Sequence, residues 1–116
     1  MTASPPPGPG MPTGNQLIPV TEAAALAARF RAANPGAVRA WLFARDVIDA
    51  LLAQPGASGI RVYRGTDAAG TDRIVIVATD GEGTDLLPPK AAGGGVVAEQ
   101  GWPCPPMCGG PSALSR

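Results

Sequence analysis

The chain has 116 residues, among them 16 glycines, 14 prolines, nine basic and nine acidic residues, and no histidine. Balanced charge without a block of one sign argues against a nucleic-acid partner, which calls for a basic face that displaces counterions. The absence of histidine removes the commonest general base and the Ser–His and Cys–His nucleophile pairs, so an enzyme is not expected, and no cofactor is implied.

The apolar runs are far shorter than the roughly 20 residues that span a bilayer. The N-terminus lacks a basic segment followed by an apolar run, so no signal peptide is expected, and the default location is the cytoplasm, where thiols tend to stay reduced.

In chain order, residues 1–14 (Ser4-Pro5-Pro6-Pro7-Gly8-Pro9-Gly10 within them) read as a disordered Pro/Gly-rich arm, because proline lacks a donor and glycine costs entropy. Thr21 reads as a helix N-cap with Glu22 in the first turn, followed by a helix to Ala33 that Asn34-Pro35-Gly36 stops. Residues 37–43 are ambiguous between helix and strand, and their bulky Val38, Trp41, Leu42 and Phe43 lean toward strand. A second helix is expected over residues 45–54, with Val47, Ile48, Leu51 and Leu52 on one face and Asp46 and Asp49 on the wet one.

Residues 59–64 alternate and 73–79 hold the apolar run Ile74-Val75-Ile76-Val77-Ala78, which predicts an antiparallel hairpin turning at Asp67-Ala68-Ala69-Gly70. Its second strand is expected to be covered on both faces, by a helix and by a second helix or another subunit. Residues 88–101 read as a flexible linker and 102–116 as a Cys-containing tail, with no internal repeat. The expected fold class is α+β: a small antiparallel sheet packed against one or two helices in a 15–87 domain, with disordered N- and C-terminal arms. A core of this size buries only about 60% of its unfolded surface, which favours self-association or a partner.

Cys104 and Cys108 lack the Cys-x-x-Cys spacing of redox and zinc motifs, and two thiols supply too few ligands for a closed metal site in one chain. Inert thiols, a disulfide or intersubunit crosslink, a metal site shared between chains, and a tail that is modified or recognised all stay open. A disulfide here closes a very short loop. Asp80, Glu82 and Asp85 lack the ligand spacing of a calcium loop and read as a solvated turn. Arg61, Tyr63 and Arg64 on the first hairpin strand, and Trp102 in the tail, are the candidate partner-binding residues, since Arg, Tyr and Trp are favoured interface anchors.

The ordered set Gly59-Ile60-Arg61-Val62-Tyr63-Arg64-Gly65, Ile74-Val75-Ile76-Val77 with Asp80, and Cys104-Pro105-Pro106-Met107-Cys108-Gly109 resembles a group of small bacterial proteins. They share an Ile-Arg-x-Tyr-x-Gly strand, an apolar strand ending in Asp and a terminal Cys-Pro-Pro-x-Cys-Gly tail. The resemblance covers about residues 21–110 and implies no activity and no catalytic residue. This chain departs from that pattern in its longer Gly-rich linker and its Pro-rich arm. The function expected is a non-enzymatic structural or adaptor module, a homo-oligomer or bound to a protein partner. The alternatives are a thiol- or metal-dependent role of the tail (redox sensing, metal transfer or crosslinking) and a precursor whose C-terminal segment is modified.

Overall fold

A computed structural model describes residues 16–87 and 97–115. The arm at 1–14 and residues 88–96 of the expected linker lie outside the described residues. The protein is α+β, with two helices and two small antiparallel sheets. It divides into two compact units, one built on Phe43–Gly101 and one on Gly14–Leu42 with Trp102–Arg116. Thus the first helix groups with the tail, whereas the sequence reading places it with the hairpin.

The first unit is organised by two turns of one sequence pattern, Asp-x-x-Gly-Thr, at Asp67–Thr71 and Asp80–Thr84. In the first, Asp67 Oδ1 accepts from the Ala69 and Thr71 amides at 2.9 Å each. In the second, Asp80 Oδ1 accepts from Glu82 and Thr84 at the same 2.9 Å. Gly70 and Gly83 take φ of 87° and 82°, a region that costs an L side chain energy, which is why the pattern needs glycine there. No long repeat is present, yet this five-residue unit recurs and fixes two chain reversals.

The first turn joins β2 (Gly59–Thr66) to β3 (Asp72–Thr79), paired from Gly59↔Thr79 through Thr66↔Asp72. Each strand is longer than the sequence pattern predicts. The second turn brings Asp85 back against Thr79, and Leu86 N donates to Ala78 O at 2.8 Å. A short β4 (Val97–Ala98), inside the expected linker, completes the order β2-β3-β4. It is held by pairing with Ile76 and Val77 and by Arg73, whose guanidinium meets Glu99 at 2.8 Å.

One face of this sheet packs on α2 (Arg45–Leu52), within the expected range of 45–54. Helical spacing drives Ile48 and Leu51 into one stripe, and Leu51 is buried with Ala57, Ile76 and Ala78 while Ile48, Ile60, Ile74 and Leu86 pack around them. The chain leaves α2 through Gln54, whose amide caps Leu51 O at 3.0 Å.

In the second unit, α1 spans Val20–Ala33. Its cap is Pro19 and not the expected Thr21: Pro19 sits at φ −64° and ψ 150°, and its carbonyl accepts from Glu22 and Ala23 at 3.1 Å each. Proline's locked φ presets this entry, which leaves Thr21 in the first turn. Asn34 ends the helix, its Nδ2 donating to Phe30 O at 3.1 Å. The ambiguous 37–43 segment resolves as a strand of three residues, β1 (Ala40–Leu42), paired antiparallel with β5 (Trp102–Cys104). Residues 102–115, expected as a disordered tail, therefore contribute a strand. Its partner is far away in sequence, and a three-residue strand with proline at its centre shows no periodic signal.

Candidate functional site

The sequence-predicted residues separate into two places. Arg61 and Tyr63 point to one face of β2, and Arg64 to the other, as strand alternation dictates. Arg61 Nη1 donates to Asp85 Oδ1 at 2.6 Å, and Tyr63 Oη donates to Asp85 Oδ2 in a short hydrogen bond. Arg61 lies opposite Val77, and Asp85 lies opposite Thr79 on the far side of β3. The two side chains therefore reach across β3 above Val77, which is only 1% exposed. Arg61, Tyr63 and Asp85 thus meet on the face of β3 opposite α2. Asp85, read from sequence as part of a solvated turn, is the residue that sequence reasoning missed. Only the register distinguishes it from Asp80 and Glu82.

The bridge sets the ionisation of its members. Accepting from Tyr63, and then from Arg61, holds the Asp85 carboxyl below the usual carboxylate range. The Tyr63 phenol is raised above its ordinary value, chiefly because it donates to Asp85, with burial and the Asp85 charge adding to the shift. A depressed carboxyl stabilises the fold above its unfolded value, near about 4, and that contribution is lost as pH falls through the folded value. A raised phenol stabilises it below about 10 and loses that as pH rises through the folded value. The chain has one tyrosine, so phenolate absorbance reports Tyr63 alone. Asp85→Ala is expected to move that titration down toward the ordinary phenol value; an unmoved midpoint would refute the bridge.

The outer edge of β2 is the second property of this surface. Asp67 N donates to Thr71 O at 3.0 Å and Ser58 N donates to Thr79 O at 2.7 Å, while Ala78 O turns the other way, to Leu86. Odd-numbered β3 residues thus bond to β2. By the alternation of antiparallel ladders, Ile60, Val62 and Arg64 direct their N–H and C=O groups to the edge that no described strand pairs. Val62 is 59% exposed at the middle of this edge.

Trp102, Cys104 and Cys108 belong to the other unit. Cys104 and Cys108 form a disulfide with their Cα atoms 4.6 Å apart, and Met107 N donates to Pro103 O at 2.8 Å inside that loop. The peptide bonds before Pro105 and Pro106 are cis. Among the described residues there is no group of three or more metal-ligating side chains. Cys104 is buried and Trp102 is 56% exposed. A cleft of about 380 Å³ opens here, walled by Phe30 of α1, Trp41 and Leu42 of β1, Trp102, Met107 and the disulfide. Arg39 lies in its wall; its amide donates to Cys104 O at 2.8 Å and its Nη2 to Ser115 O at 3.3 Å. Arg31 Nη1 likewise donates to Leu114 O at 2.7 Å, so two arginines hold down the end of the tail. Neither arginine was singled out from sequence, where isolated basic residues carry no signal.

No family model, no curated protein and no solved structure matches the chain. The reading of this surface therefore rests on its geometry. Among the described residues, no helix is long and apolar enough to cross a membrane.

Proposed function

We propose that the protein is a non-enzymatic structural or adaptor module that associates with itself or docks a protein partner through its three-stranded sheet, with the disulfide-bonded tail as a second docking element. The observation that carries this reading is the outer edge of β2: eight residues long, paired on one side only among the described residues, and exposed at Val62 and Tyr63. Unpaired strand edges template further strands, and natural sheets usually shorten, bulge or cover them. Here the edge is regular. Arg61 is drawn away to Asp85, which leaves Arg64 as the charged side chain next to the exposed Val62. The tail supports the same reading because its Trp102 and Met107 line an apolar cleft, and aromatic and Met side chains are enriched in interface cores.

Light scattering after size exclusion tests the self-association. Over about 1 to 500 µM, a range in which edge contacts of modest strength become populated, the mass is expected to rise from that of one chain toward two. A single-chain mass throughout would overturn self-association as the role of this edge.

A further inference from the structure

Independently of the sheet edge, we propose that the cleft of the tail unit binds a small carboxylic acid with a body of one or two rings, its carboxylate held on the Nε–Nη2 edge of Arg39. The cleft lies wholly within one compact unit, among α1, β1 and the tail. Its volume of about 380 Å³ falls in the range of pockets that take small molecules, about 300–1,000 Å³. Three of the chain's five aromatic rings (two Phe, two Trp and one Tyr in all) stand in its wall: Phe30, Trp41 and Trp102. Leu42 and Met107 add to an apolar lining that suits a planar, apolar body. Arg39 is the one charged side chain among the described residues of that wall.

The charge of the ligand follows from the state of Arg39. No carboxylate among the described residues pairs with its guanidinium. Its Nε is buried and has no hydrogen-bond partner, and its Nη2 donates to Ser115 O at 3.3 Å, at the long end of N–H···O bonds. Nε–H and one Nη2–H point the same way along one edge of the planar guanidinium, spaced to meet the two oxygens of a carboxylate. A single neutral carbonyl uses one of these donors. A carboxylate takes both and brings the opposite charge. Ser115 O is therefore the group that an incoming carboxylate displaces. Leu114 O stays tied to Arg31 Nη1 at 2.7 Å, so the exchange moves only the chain beyond it. A neutral ring compound meets the same apolar walls but leaves the Arg39 edge as it is, and so binds more weakly.

Both tryptophans of the chain wall the cleft, so the intrinsic fluorescence of the full chain reports on it directly. Phenylacetate is the probe, and phenylacetamide, of the same shape without the charge, is its control. The carboxylate is expected to bind at least about ten-fold tighter than the amide, with saturation by about 10 mM. Arg39→Met keeps an unbranched apolar stem and removes the fork. It is expected to bring the carboxylate down to the affinity of the amide, while the amide changes by less than about two-fold. NMR of the arginine Nε–H groups reads the contact in the unaltered chain. The Arg39 signal, assigned by its loss in Arg39→Lys, is expected to move with the carboxylate and to stay in place with the amide. Equal affinities for the two probes, a carboxylate preference that survives Arg39→Met, or no change in either signal up to about 10 mM would each overturn the site. If Arg39→Met does not fold, the NMR shift decides alone.

Discussion

Replacing Leu51 with alanine is expected to cost about 2–5 kcal/mol, the range for emptying a buried leucine site. Leu51 is 1% exposed and, with Ile76, is one of the two large side chains of the cluster it forms with Ala57, Ile76 and Ala78. Two of the other three are alanines, which have little side chain to collapse into the space, so the cost belongs toward the upper end. Small domains hold only about 5–15 kcal/mol of stability in total. Urea unfolding followed by circular dichroism should therefore show a midpoint shifted far down, or no folded baseline. Leu52→Ala is the control. Leu52 is the next residue on α2 yet 46% exposed, and its loss should fall within about 0.5 kcal/mol, the usual scale for exposed sites. Equal losses at the two positions would show that α2 does not pack through the Ile48–Leu51 stripe.

Replacing both cysteines, Cys104→Ser with Cys108→Ser, is expected to release the tail from β1. The disulfide closes a loop of five residues, counting Cys104 through Cys108, for which chain-entropy arguments give about 2 kcal/mol. Cys104 is also buried and pairs with Ala40, and its carbonyl accepts from Arg39. A serine hydroxyl at that buried place adds a desolvation cost of about 1–3 kcal/mol unless it finds an acceptor. A ribbon of two three-residue strands has little else to hold it, because such hairpins are marginal in water. Hydrogen exchange read on residues 39–42 and 102–104 should accelerate by about ten-fold or more, since each 1.4 kcal/mol lost is a factor of ten in local opening. Unchanged protection in that segment would mean that the pairing stands without the disulfide. It would also remove the reason to assign the thiols a structural part, and would favour the reading of the tail as a redox-responsive element.

Both expectations depend on residues whose type was visible in the sequence but whose weight was not. The helical spacing of Val47, Ile48, Leu51 and Leu52 identifies an apolar stripe. It does not say that Leu51 lies at the centre and Leu52 at the rim, because that depends on how the helix is rotated against the sheet. Likewise the Cys104/Cys108 spacing is compatible with free thiols, a shared metal or a bond. The choice follows from where the turn through Pro105 and Pro106 sets the two sulfurs.

The same division runs through the sheet. The continuous run from Ile74 to Ala78 marks a strand covered on both sides, and Val77 is indeed buried opposite the α2 face. On that face Arg61 and Tyr63 join at one carboxylate, that of Asp85. No local pattern encodes it, since Arg61 and Asp85 are 24 residues apart.

The sequence by itself determined the elements that depend on neighbours a few residues away: both helices, the β2–β3 hairpin and its glycine-bearing turn, all of which follow from periodicity, β-branched content and positive-φ positions. Tertiary structure alone decided the β1–β5 ribbon, the short β4, the Arg61–Tyr63–Asp85 bridge and the disulfide. Each of these joins segments whose local preferences are weak, and a weak local preference is settled by what the rest of the chain places beside it.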